Sequence, residues 1–247
     1  MTAVRLIVDL PQTGDWNMAV DEALLHSAAT GITTLRFYEW SVPTLSLGYF
    51  QEYLQREQHG PSRDCACVRR STGGGAILHD QELTYSITSP AAGRGSSKCA
   101  SVYDLFHEAL VRALLHWSVQ ARPCQDSDER RRGVPPPFLC FERRARGDVL
   151  IGDRKVCGSA QRRHRGALLQ HGSVILKSSV CAPGIQGIEE MAGRRLQSRD
   201  LAEAWRAEIA AAWGACWNAA ELSPVEREQA QQIFADQFAH PQWLNRR

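Results

Sequence analysis

Arg69-Arg70-Ser71-Thr72-Gly73-Gly74-Gly75-Ala76-Ile77-Leu78-His79 places three successive glycines between a strand-like segment ending in paired arginines and a second apolar strand. Glycine lacks a Cβ and tolerates positive φ, so such a loop can turn sharply and bring backbone N–H groups against a ligand's carbonyl or phosphate. Further along, Gly152-Asp153-Arg154-Lys155-Val156-Cys157-Gly158-Ser159-Ala160-Gln161 supplies a cation beside another small-residue loop. Glycine and small residues around Lys155 leave room for a ligand rather than for a core.

Outward from the glycines, the first ninety residues read as one helix followed by a mostly antiparallel sheet. Met18, Ala19, Ala23 and Leu24 recur near helical spacing within 15–29, and Gly31 stands where a helix stop is expected. Strand character follows at 35–38 and 44–49 around a turn at Ser41-Val42-Pro43, then at 65–70, 76–79 and 83–88. The Gly- and Ser-rich stretch 91–98 is expected to be a mobile connection. Ser101 with Asp104 then resembles a capping box, opening a helix whose apolar stripe runs from Val102 through Phe106, Leu110 and Leu114 to Trp117. Residues 122–137 are polar and then proline-rich, an exposed loop that delivers Phe138-Leu139-Cys140-Phe141 to one place. Strands resume at 149–151, 154–157 and 167–176, with a hairpin turn over Ile151-Gly152-Asp153-Arg154. Two helices close the chain, at 200–213 and after Ser223-Pro224-Val225-Glu226, where an N-cap, a first-position proline and a glutamate coincide. The expected class is α+β, with mostly antiparallel mixed sheets flanked by helices.

The 247 residues suffice for one large domain with a substantial core, and 1–247 is read as a single catalytic domain without a C-terminal accessory domain. No apolar run approaches the roughly 20 residues that span a membrane, and no signal-like segment opens the chain, so no membrane association and a cytoplasmic location are expected. Eight cysteines without a CxxC pair predict free thiols and no metal site, with Cys65 and Cys67 as packing residues on one strand. The net charge of +2 is uneven: between Glu129 and Arg165 eleven Arg or Lys stand against four Asp or Glu, an excess of +7 that leaves −5 for the remainder. Such a strip suits an acidic macromolecular partner. It lacks interleaved aromatics and a recognition-helix pattern, which argues against nucleic acid.

Six segments in order resemble the lipoate–protein ligase and octanoyltransferase family, which is related in fold to biotin–protein ligases. They are Asn17 to Glu22, Leu35 to Trp40, Ser46 to Tyr49, Arg70 to His79, Glu82 to Ser86, and Gly152 to Gln161 followed by Gln170-His171-Gly172. The resemblance implies the catalytic fold of that family and a pocket for a medium-chain acyl group, octanoyl or lipoyl, delivered to one lysine of a carrier domain. It also implies that Arg70, Thr72, Gly73, Gly74, Gly75 and His79 line the acyl or phosphate end. Lys155 becomes the essential cation, and Gly158, Ser159, His171 and Gly172 complete the wall.

Within the family, octanoyltransferases of the LipM type carry a Cys-Phe pair upstream of the lysine segment, where ATP-dependent ligases tend to have a Gly-Arg-Asn-Asp-like stretch. Here that position is Cys140-Phe141, which favours covalent catalysis by Cys140 with Lys155 and no cofactor. The implied partners are octanoyl acyl carrier protein as donor and a lipoyl domain or glycine-cleavage H protein as acceptor. The sequence departs from the transferases after the pair, with Glu142-Arg143-Arg144-Ala145-Arg146-Gly147-Asp148 in place of Pro, Ser and Tyr. Two alternatives stay open at this level: an ATP- and Mg-dependent lipoate ligase working through an acyl-adenylate, and a non-catalytic homologue that binds acylated carriers. Arg130 to Arg132, Arg143, Arg144, Arg146, Arg162, Arg163 and Arg165 are expected to form a docking rim. Cys157 is read as packing, and His79 and His171 as residues able to shuttle a proton.

Overall fold

The computed structural model describes residues 2–91, 98–126 and 137–247. In chain order the strands and helices are β1 (Thr2–Val8), α1 (Gly14–Ala28), β2 (Thr34–Tyr38), β3 (Thr44–Leu47), β4 (Ala66–Arg69), β5 (Ile77–His79), β6 (Glu82–Pro90), α2 (Lys98–Leu114), β7 (Ala121–Pro123), β8 (Val149–Ile151), β9 (Arg154–His164), β10 (Ala167–Ile175), α3 (Ile188–Ala192), α4 (Ser198–Trp213), β11 (Ala215–Ala219), α5 (Pro224–Ile233) and α6 (Pro241–Leu244). Eight strands form one sheet in the order β11-β1-β2-β6-β10-β9-β8-β7, and β4-β3-β5 form a second, small one. Pairing is antiparallel from β2 across to β7, and parallel where β1 meets β2 and β11 and where β3 meets β4.

Alternation along the central strands assigns the two faces of the large sheet. Leu35 and Phe37 of β2 and Leu83, Tyr85 and Ile87 of β6 point into the main core, where Phe106, Leu110 and Ala113 of α2 and Leu201, Trp205 and Ile209 of α4 cover them. The predicted apolar stripe of α2 packs there along its length. The opposite face carries the intervening residues, and α1 covers it. Arg36 of β2 donates to the Asn17 carbonyl at 3.2 Å and to Asp21 at 2.9 Å, and Ser86 of β6 donates to Asp21 at 2.7 Å. Because α1 has the sheet beneath it and α5 over it, eleven of its fifteen residues are buried, including Asn17, Asp21 and Glu22. Its buried charges are paired, Asp21 with Arg36 of β2 and Glu22 with Arg162 of β9.

Most predicted elements stand where expected. The two-residue turn between β8 and β9 brings Ile151 opposite Arg154, and Ser223 accepts from the Glu226 N–H while Glu226 accepts from the Ser223 N–H. Four expectations change. The small residues Gly158-Ser159-Ala160 lie within β9, which runs on to His164 in pairing with β10, rather than in a loop. Arg122 lies in β7, at the sheet edge against Leu150, rather than in a loop, because β8 offers it an open strand edge. Helix α2 begins at Lys98, before Ser101, whose cap lies outside the described side chains. Strand β11, parallel to β1, had not been foreseen. Residues 92–97 of the expected 91–98 connection and residues 127–136 of the expected 122–137 loop, Arg130 to Arg132 among them, lie outside the described residues. No described helix is long and apolar enough to cross a membrane.

Candidate active site

Between the large and small sheets lies a partly enclosed cavity. Its walls come from β3, the glycine loop, β5, the turn at Cys140–Glu142, β9 and β10, with Met18, Tyr38 and Trp40 closing the apolar part.

Backbone pairing delivers the cysteine. The Ala76 N–H donates to the Phe138 carbonyl at 3.0 Å, and the Cys140 N–H donates to the Ala76 carbonyl at 2.7 Å, so the glycine loop and the 138–140 segment zip together. A Cβ on Gly75 would lie 3.3 Å from the Phe138 carbonyl oxygen and 3.5 Å from the Cys140 Cα, and its absence permits the close approach. Gly74 has φ +98, the positive value expected of such a loop.

Lys155 reaches the same point from β9. Its Nζ lies 3.6 Å from the Cys140 Sγ and 2.9 Å from the Asp148 Oδ2. The side chain runs across Gly158, where a Cβ would sit 2.3 Å from Lys155 Cε and 2.4 Å from Nζ. Asp148 is buried; its Oδ2 also accepts from the Ala145 N–H at 2.7 Å, and its Oδ1 from the Tyr103 hydroxyl at 3.2 Å. A carboxylate held on several sides fixes the ammonium that points at the sulfur.

Burial pushes the Cys140 thiol up, but the Lys155 ammonium and then the Arg70 and Arg143 guanidiniums reverse this and leave it below the ordinary range. Burial pulls Lys155 down, and the opposing charges of Cys140 and Asp148 raise it above its usual value. Each charge thus favours the ionised form of the other. Cys157, two residues from Lys155, is fully buried, and its thiol is pushed far up by that burial, which leaves it a packing residue.

The other expected site residues divide. Gly73, Gly74, Gly158, Ser159, His171 and Gly172 line the cavity with Arg70 and His79, whereas Thr72 and Gly75 do not. Thr72 sits behind the wall with its hydroxyl 2.7 Å from His171 Nε2, and Gly75 faces Phe138 and Cys140 instead. Arg70 shapes the loop: its two Nη atoms donate to the carbonyls of Ser46, Gly73 and Gly75 at 2.7–2.8 Å. Burial pulls its guanidinium down to about 10. His79 has both nitrogens engaged, with Glu82 at 2.7 Å and Ser46 at 3.0 Å, and stacks on Trp40. Burial holds it below the usual imidazole range. Sequence reasoning missed Asp148, Tyr103 and His107. His107 bridges the Gly147 carbonyl at 2.6 Å and the Ser159 hydroxyl at 2.7 Å, and burial pulls it down to about 4, keeping it neutral. Among the described residues no His, Cys, Asp or Glu cluster is built to hold a metal.

The model of the lipoyl protein ligase A/B catalytic domain matches residues 14–210. The chain belongs to this family. Octanoyltransferase LipM of Kyrpidia tusciae is 33% identical over 97% of this chain and 97% of its own length. Octanoyltransferase LipM of Oceanobacillus iheyensis is 40% identical over 69% of this chain and 63% of its own. The fold is shared with a structure from the structural analysis of an archaeal lipoylation system, a bipartite lipoate protein ligase and its E2 lipoyl domain from Thermoplasma acidophilum, at TM-score 0.75 and 18% identity over 99% of this chain and 97% of that one.

Proposed function

We propose that this chain moves an octanoyl group from acyl carrier protein, through a thioester on Cys140, to a lysine of a lipoyl domain or of glycine-cleavage H protein. Octanoyl transfer in lipoate biosynthesis is the activity its LipM relatives support. The covalent route rests on one observation, the Lys155 ammonium 3.6 Å from the Cys140 sulfur at the acyl cavity. The fold by itself does not choose between transferase and ligase, since a lipoate ligase shares it.

In the first step the Cys140 thiolate attacks the donor thioester carbonyl while Met18, Tyr38, Trp40 and Ile77 enclose the alkyl chain. The bond to the donor sulfur breaks, and the departing thiolate takes a proton from the Lys155 ammonium. In the second step the acceptor amine attacks the Cys140 thioester, its proton passes to the neutral Lys155, and the Cys140 thiolate leaves. The exchange of one thioester for another is nearly balanced, and the far more stable product amide draws the sequence forward. A thioester donor is already activated, so neither step calls for a nucleotide or a metal.

Intact-mass spectrometry with octanoyl carrier protein tests this reading. An octanoyl adduct is expected on the wild type and not on Cys140→Ala, with transfer to apo H protein indifferent to ATP. An adduct that persists in Cys140→Ala, or transfer that requires ATP, would refute it.

A further inference from the structure

Of the α1 segment Asn17 to Glu22, only Met18 reaches the acyl cavity. Its two buried carboxylates face the glycine loop instead. Glu22 accepts from the Ser71 hydroxyl at 3.1 Å. Asp21 reaches the next residue, Thr72, through a histidine: His171 Nδ1 lies 3.4 Å from the Asp21 Oδ2, and His171 Nε2 lies 2.7 Å from the Thr72 hydroxyl. Asp21, His171 and Thr72 are all buried. The Thr72 carbonyl accepts from the Tyr49 N–H at 2.9 Å, and the two residues that follow, Gly73 and Gly74, wall the cavity. At the other end of the chain Asp21 is surrounded by donors. Its Oδ1 accepts from Arg36 at 2.9 Å and from Ser86 at 2.7 Å, and its Oδ2 from the Tyr38 hydroxyl at 2.9 Å. Burial pushes the Asp21 carboxyl up, but its bond with His171 and the Arg36 guanidinium outweigh this and hold it below the ordinary carboxylate range.

Resting on the covalent route above, we infer that Asp21, His171 and Thr72 form a positioning chain that fixes the glycine loop for acyl transfer, with Asp21 setting the tautomer of His171. A carboxylate only accepts hydrogen bonds, so Nδ1 carries the ring hydrogen. In the neutral ring Nε2 is then an acceptor, and the Thr72 hydroxyl donates to it. Both nitrogens of His171 are engaged inside the wall, so the ring holds the loop and does not take the proton of the incoming amine. The backbone carries the placement on to the nucleophile: Gly75 and Ala76 come next, and Ala76 pairs with Phe138 and Cys140. A shift of Thr72 therefore moves the cavity wall relative to the reacting sulfur, and misplacement by about 1 Å costs up to about a hundredfold in rate.

Thr72→Val keeps the side-chain shape and removes the hydroxyl. With octanoyl-N-acetylcysteamine as donor and apo H protein as acceptor, it is expected to lower kcat by about tenfold and to leave KM nearly unchanged, since Thr72 does not line the cavity. Iodoacetamide labelling of Cys140 in this variant is expected to keep its pH profile, because Lys155 is undisturbed, and Thr72→Ser, which retains the hydroxyl, should recover most of the rate. Imidazole nitrogen NMR, with the His171 signals assigned by their absence from His171→Gln, should find the ring hydrogen on Nδ1 in the wild type. In Asp21→Asn, Arg36 and Ser86 still require an acceptor at the Oδ1 position, which turns the amide nitrogen toward His171 and should move the hydrogen to Nε2. A wild-type rate or a shifted labelling profile in Thr72→Val, a loss that Thr72→Ser does not recover, or a ring hydrogen that Asp21→Asn leaves in place would overturn the inference. The NMR readout needs no turnover, so failure of the covalent route, seen as a wild type without a Cys140 adduct, is told apart from failure of the chain.

Discussion

At the scale of the residue, the site reduces to three charges in line: the Cys140 sulfur, the Lys155 ammonium 3.6 Å away and the Asp148 carboxylate 2.9 Å beyond. Because the ammonium is the leading favourable charge on the thiolate, Lys155→Met should move the pH profile of Cys140 alkylation to higher pH and slow transfer by about a hundredfold or more. Iodoacetamide kinetics followed by mass spectrometry, with Cys140→Ala as blank, check the first part, and an unmoved profile would count against the dyad. Lys155→Met also strands a buried carboxylate, at a cost of about 3 kcal/mol. Asp148→Asn in that background should restore part of the loss, and a urea double-mutant cycle with strictly additive effects would show that the two side chains are not coupled. Cys140 and Lys155 were legible in the sequence because each lies in a motif. Asp148 was not: it closes a polar run that reads as solvated surface, and only the fold reveals that Ala145, Tyr103 and Lys155 converge on it.

At the scale of the element, β9 positions the ammonium by leaving a gap at Gly158. A Cβ there meets the end of Lys155 and, at 3.0 Å, the Asp148 Oδ1 rather than backbone, so Gly158→Ala should fold with some loss of stability, push the ammonium off the sulfur and cut transfer by about tenfold or more. Unchanged thiol reactivity in a folded Gly158→Ala protein would contradict this. The capped start of α5 carries a different prediction. Burial pushes Glu226 up, but hydrogen bonds from Arg5 and from the Ser223 N–H outweigh it and bring the carboxyl to about 2. A group lowered in the folded state stabilises above its unfolded value, near 4.5, and loses that contribution as pH falls toward 2. Glu226→Gln should therefore lower stability at neutral pH by about 1–3 kcal/mol and flatten the acid limb of the stability curve between those values. Parallel denaturant titrations of the two proteins provide the check. The cap and the β8–β9 hairpin could be read ahead of the structure because their signals are local. Strand β11 could not: Ala215-Cys216-Trp217-Asn218-Ala219 has little strand preference, and its form is imposed by pairing with β1 some two hundred residues earlier.

At the scale of the whole molecule, the excess of +7 between Glu129 and Arg165 is set against −5 elsewhere, and the described part of that strip divides its labour. Arg162 is occupied by Glu22, Arg143 adds to the field on Cys140, and Arg144 lies 3.8 Å from Asp153. Arg146, three residues past Arg143 on the loop that follows the nucleophile, is exposed. A charged rim of this kind raises the rate of encounter with an acidic carrier and does little for a small neutral donor. Transfer from octanoyl carrier protein should accordingly slow as ionic strength rises through 0.1 M, where screening sets in over about 10 Å, while acylation by octanoyl-N-acetylcysteamine stays level. Arg146→Glu should lower kcat/KM for the carrier donor by about threefold or more at low salt, through KM, with the small donor as internal control. The same salt dependence for both donors would place the electrostatic effect in the dyad itself and remove the rim from the account of how the carrier arrives.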